Sequence, residues 1–181
     1  MSIVKWIKAS GRRKRIFSAI IVFIVALAIT GIGSLIPMDL QEASQVSNDL
    51  NQTVTTLSDN GLLLQYIFGN NFLISLLMFI PVLGPLLGFL IMFNTGTVVG
   101  AIATSGGYSP AITLASLFLT PIAWLEFAAY SAAMSESIWL LWRFIHGYAL
   151  RELKNASVLI SICAILLAVG AIVETALISL A

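Results

Sequence analysis

Five polar residues stand where a chain this apolar has least use for them: Asn70, Asn71, Asn94, Glu126 and Glu174 lie within long hydrophobic runs. In a bilayer an ionisable side chain costs several kcal/mol unless it is neutral or paired, so such residues are functional candidates by default. The chemistry open to them is proton exchange, cation or solute contact, or interhelical hydrogen bonding. Catalysis of the soluble kind has no such footing. There is no Gly-x-Ser-x-Gly elbow, phosphate loop or His-Glu-x-x-His, and the single His146 and single Cys163 supply neither a triad nor a zinc site. No catalytic residue, metal ligand or cofactor is therefore expected, and Cys163 reads as a packing residue.

Composition gives these residues their setting. The chain is 59% hydrophobic and 9% charged, with a mean hydropathy of +1.01, which marks a single membrane domain over 1–181. All nine Lys and Arg fall between Lys5 and Arg15 or between Arg143 and Lys154. Segment 37–60 holds four acids and no base. The positive-inside rule then predicts a cytoplasmic basic tail (1–15), an external segment (37–60) and an inner interfacial segment (137–155). A net charge of +1, with the bases held beside lipid headgroups, excludes nucleic acid as a partner.

About 20 apolar residues cross a bilayer core. The chain offers five such stretches, 16–36, 62–80, 82–104, 111–134 and 156–180. The expected fold is an all-α polytopic helix bundle in a cell membrane, N-terminus cytoplasmic and C-terminus external. The first stretch is too long for a signal-peptide core and reads as a retained anchor. Two prolines and a glycine in 81–85 must break helix between the second and third stretches, which either both span or form a re-entrant hairpin.

Two further helices are expected. In 37–60, Leu40, Ala43, Val46, Leu50, Val54 and Leu57 recur at three and four, an amphipathic stripe whose Val46, Leu50 and Val54 are candidate partner contacts. Pro37 suits its first turn, and Asn60-Gly61 its stop. Asn51-Gln52-Thr53 on this segment is a candidate glycosylation sequon. In 137–155, Trp139, Trp142 and Tyr148 with Arg143 and Arg151 suit a helix at the headgroup boundary.

Depth sorts the polar candidates. Counted from span centres at 1.5 Å per residue, Asn94 and Glu126 differ by about 7 Å, within side-chain reach, while Glu174 lies about 14 Å from Glu126, too far for a catalytic dyad. Glu126 is expected to be uncharged or fully hydrogen-bonded, with Asn94 in reach directly or through water. Gly84 with Gly88 and Gly96 with Gly100 have the small-xxx-small spacing of close helix contacts, which predicts that the third stretch is the most buried.

Residues 68–136 carry a recognisable set of motifs: Gly69-Asn70-Asn71, then Phe93-Asn94-Thr95-Gly96 with Gly100, then Pro121-Ile122-Ala123-Trp124-Leu125-Glu126. In these the chain resembles the stage II sporulation protein M family, whose pattern has an asparagine pair, an Asn-Gly element with a later Gly, and a Pro-His-Gly-x-x-Glu element. Ile122 and Ala123 stand where the family has His-Gly, and Thr95 is inserted before Gly96. The resemblance implies five membrane helices with a longer external segment, and a part in recruiting or anchoring other proteins; the missing histidine weakens any proton relay. The expected function is a non-enzymatic membrane scaffold or accessory subunit, with other membrane or external proteins and the bilayer as partners and an oligomer left open. The alternative is a small transporter or channel component using Asn94 and Glu126.

Overall fold

The computed structural model describes residues 12–146 and 149–180. Most of the basic tail and Tyr148 lie outside the described residues, as do the side chains of Arg12 and Arg151. Among the described residues seven helices follow one another: α1 (Arg12–Ser34), α2 (Leu40–Asp59), α3 (Leu63–Met78), α4 (Leu83–Gly106), α5 (Pro110–Leu117), α6 (Pro121–Ile145) and α7 (Ala149–Leu180). The fold is the expected all-α membrane bundle, with no strand among the described residues.

Three helices are long and apolar enough to cross a membrane unbroken, α1, α4 and α7. The stretch at 111–134 is not one helix. It divides into α5 and α6, which meet at a bend of 83°. Pro121 explains the break: it has no N–H to continue a helix and disfavours helical geometry in the residue before it, and Thr120 is extended at φ −90°, ψ 145°. The Trp124 indole N–H donates to the Phe118 carbonyl at 2.9 Å, satisfying an acceptor that the break releases. The apolar helix α3 has 16 residues, about 24 Å. It is shorter than the bilayer core, so the structure supports three or four crossings rather than confirming five.

Between α3 and α4 the chain breaks at the predicted place. Val82 takes φ 71°, ψ −55°, and the Leu83 N–H donates back to the Pro81 carbonyl at 2.9 Å, the geometry of a γ-turn. The Ile80 carbonyl accepts from Ser137 Oγ on α6 at 2.7 Å, fixing this turn at the same end of the bundle as the start of α1.

Helix α2 forms as its stripe predicts. Asp39 is the N-cap, its carboxylate accepting from the Glu42 N–H at 2.8 Å, while Pro37 lies in the preceding link rather than in the first turn. Gly61, at φ 66°, ends the helix. The stripe faces α4: Ala43 is fully buried, Val46, Val54 and Leu57 are half-buried, and Leu40 and Leu50 stay exposed.

Segment 137–155 is not a separate interfacial helix. Its first part completes α6 and its last part begins α7. Ser137, Trp139 and Leu140 are buried against the bundle, while Ile138, Phe144 and Ile145 are exposed.

The glycines of α4 work in two pairs. A Cβ on Gly96 would overlap the Thr30 carbonyl of α1, and one on Gly100 would lie 2.7 Å from the Ser34 carbonyl. Gly33 answers from α1, where a Cβ would overlap the Phe93 carbonyl. At the other end, Gly84 lies against Met78 and Ser137, and Gly88 against Met134. α4 is thus met at backbone distance by α1 and, at Gly84, by the end of α3, while α6 reaches it through the Met134 and Ser137 side chains. It is nonetheless α6, packed on α1, α3, α4 and α7, that buries the most residues.

Candidate functional site

Of the five intramembrane polar residues, two meet at α6. Asn71 Nδ2 on α3 donates to Glu126 Oε1 at 2.5 Å. Asn94, expected within reach from depth, is exposed on α4 and has no part in this bond. Asn70 is also exposed, with a long 3.5 Å contact to Asn71 Oδ1. The asparagine pair is therefore divided, one residue facing the bundle and its neighbour facing out.

Glu174 also departs from the depth arithmetic. α7 runs back along α6, with Gly170 beside Leu125, and the Glu174 carboxyl lies within electrostatic range of both Glu126 and Tyr130. The separation of about 14 Å came from treating 111–134 as one straight span. The break at Pro121 moves the true start of the helix, so the depth of Glu126 was measured from the wrong centre. The structure thus joins Asn71 of α3 to Glu126 of α6, with Tyr130 one turn further along α6 and Glu174 on the neighbouring α7. Tyr130 was not anticipated; its position one turn after Glu126 was the available signal.

A second cluster closes the basic end. The Arg15 guanidinium on α1 lies between two carboxylates, Glu136 on α6 at 2.5 Å and Glu152 on α7, and Arg143 Nε is 3.8 Å from Glu152. Both glutamates are 2% exposed. Arg15 also stacks 5.4 Å from the ring centre of Trp139, whose indole N–H donates to Ser18 Oγ at 2.9 Å. Ser18 Oγ in turn lies 2.6 Å from Ser135 Oγ. From Glu136 to Glu126 is ten residues of α6, about 15 Å, so the two clusters are stacked along one helix. Sequence reasoning took Arg15 and Arg143 as topology markers and gave Glu136 and Glu152 no part. The signal was there in two acids placed beside basic stretches.

The remaining candidates have plain placements. His146 stacks on Trp142 with ring centres 4.4 Å apart, and its Nδ1 lies 2.8 Å from the Trp142 carbonyl oxygen. Cys163 is buried, its thiol 3.4 Å from the Ala129 carbonyl. Asn51 is exposed on α2. Among the described residues no group of His, Cys, Asp and Glu is arranged to hold a metal ion.

What this arrangement does chemically is join helices: one hydrogen bond ties α3 to α6, and one arginine ties α1 to α6 and α7. Some of the motif residues fall at helix contacts, whereas Gly69, Asn70 and Asn94 are exposed. Asn71 and Glu126 meet each other, Gly96 meets α1, and Ala123, where the resemblance has glycine, is 2% exposed in the bundle. No curated protein and no solved structure matches the chain. The sequence model of Stage II sporulation protein M does match, from residue 18 to residue 177. With nearly the whole helical bundle inside that match, the chain belongs to the stage II sporulation protein M family.

Proposed function

We propose that this protein is a non-enzymatic multi-pass membrane scaffold or accessory subunit that holds other proteins in a membrane complex. The observation that carries the reading is α2. This helix of 20 residues, about 30 Å long, rests on α4 through Ala43 and keeps a polar face with Leu40 and Leu50 exposed. A tether needs no such rod. The buried carboxylates support the same reading, since their contacts link helices to one another, and the family resemblance points to recruitment of partner proteins. The topology that goes with it is N-terminus cytoplasmic and C-terminus external, with α2 outside.

The test is recovery of co-purifying chains in mild detergent. Leu40→Ser with Leu50→Ser removes the exposed part of the stripe, about 1.5–3 kcal/mol for each side chain a partner fully buries. Partner recovery falls while membrane insertion persists. Val46→Ser with Val54→Ser, which strikes the half-buried part, lowers the stability of the protein itself. Unchanged recovery in the first variant assigns α2 to lipid or internal packing and removes the scaffold reading.

A second reading has one specific observation behind it. The 83° break between α5 and α6 leaves the first turn of α6 beside Glu126 and Glu174. A broken helix next to intramembrane acids is an arrangement used to pass ions or protons. In that case the protein is a small transporter component, and flux depends on the Glu126 proton.

A further inference from the structure

A groove of about 790 Å³ runs between α1, α6 and α7. Its floor and walls are apolar, with Ile20, Phe23, Ala128 and Ile162 among them, and one end is polar, formed at Arg15, Ser135, Glu136 and Asn155. From Arg15 to Phe23 is about 12 Å along α1. The groove therefore begins at the level of the basic segments and reaches well into the hydrocarbon, with its open side between helices that face lipid.

The polar end holds buried oxygen atoms that no hydrogen bond meets among the described residues. Glu136 Oε2 is taken by Arg15, but among the described residues Glu136 Oε1 has no partner although it is buried. Ser131 Oγ, further along the same groove, is also buried without a partner. A buried carboxylate oxygen left unmatched costs far more than an unmatched neutral group, so the site favours an occupant that brings N–H or O–H. The cluster's own charges cancel, two arginines against two glutamates, so it has no general appetite for anions.

We propose that this groove binds one membrane lipid from the leaflet on the basic side, a lipid whose head group carries hydrogen-bond donors, an ammonium or hydroxyl group. The head donates to Glu136 Oε1, and one acyl chain lies along Ile20, Phe23 and Ile162. Lipid heads occupy this level of the bilayer in any case. A partner helix spends its backbone donors internally and brings none to Glu136 except by a side chain. The volume is that of an ordinary small-ligand site, about 300–1,000 Å³.

The test is native mass spectrometry of the full chain, stripped of lipid and given phosphatidylethanolamine, phosphatidylglycerol and phosphatidylcholine of identical acyl chains. The first two carry ammonium and hydroxyl donors; the third has the same tails and no donor. One tightly held lipid is expected per chain, with phosphatidylethanolamine or phosphatidylglycerol retained several-fold over phosphatidylcholine; which of the two prevails tells ammonium from hydroxyl. Ala128→Trp and Ile162→Trp fill the groove from α6 and α7 in turn. Either one, if still helical and monodisperse, loses the retained lipid. Equal retention of all three lipids, or full retention in a well-folded Trp variant, overturns the proposal.

Discussion

Asn71 and Glu126 are 55 positions apart and share the 2.5 Å hydrogen bond that pins α3 to α6. Interhelical bonds of this kind contribute about 0.6–2 kcal/mol in membrane proteins. Asn71→Leu and Glu126→Leu each lower stability in detergent by about that amount, and a double-mutant cycle returns a coupling of the same size. A coupling near zero shows that the two side chains do not bond. Glu126→Gln keeps the shape and an acceptor oxygen but cannot exchange a proton. It retains accumulation and complex recovery if the residue is structural. Lost proton or solute flux in vesicles, with assembly intact, replaces the scaffold with the transporter.

Arg15, at the start of α1, contacts both buried glutamates, Glu136 and Glu152. Arg15→Met leaves Glu136 and Glu152 short of their shared cation, and loss of one partner from a buried pair costs about 3–5 kcal/mol. Thermal unfolding in detergent shifts down strongly. Adding Glu136→Gln to Arg15→Met recovers part of the loss, because the buried charge goes with its partner. Wild-type unfolding in Arg15→Met shows that water, and not the arginine, satisfies the glutamates.

Two glycines give an internal comparison. Gly96→Ala sets a methyl against the Thr30 carbonyl of α1, where two backbones meet and neither can turn aside. The expected cost is about 1–3 kcal/mol. Gly69→Ala meets nothing within 4 Å and, lying in a helix, is neutral or stabilising by up to about 1 kcal/mol. Equal melting of the two variants contradicts the close packing of α1 on α4.

The topology is checked with single cysteines in a Cys163→Ala background. Ser58→Cys and Ser179→Cys, both exposed, react with an impermeant thiol reagent added outside intact cells, and the exposed Lys154→Cys is protected until the membrane is opened. Outside labelling at position 154 inverts the assignment.

Much of the bundle could be read from residue order because membranes impose simple rules on it. Long apolar runs gave α1, α4 and α7, the Leu40-to-Leu57 spacing gave α2, and Pro81 to Pro85 gave the turn before α4. Pro121 was visible too, yet a proline near the middle of an apolar run does not say by what angle the chain turns. That single angle redirected every distance counted from the fourth span. It hid the approach of Glu174 and put Asn94 within apparent reach of Glu126. The Arg15 cluster was obscured for a different reason: bases near a membrane end are explained so fully by orientation that their local pairing leaves no trace in hydropathy.

The bend between α5 and α6 also bears on how the chain enters a membrane. α5 has 8 residues, about 12 Å, and cannot cross a bilayer core of about 30 Å. α6 carries Glu126 and Glu136 inside its apolar run and qualifies as a span only together with α5. Neither half is a stable span in lipid by itself. What receives them is a surface already in place, since α5 packs on α1 and α4, and α6 on α1, α3 and α4, all made earlier in synthesis. The earlier helices α1, α3 and α4 thus form the surface on which the bent α5–α6 pair lies, and α7 packs on α6 from the other side, with Glu152 reaching back to Arg15. The residue that fastens the last helix is thus supplied by the first.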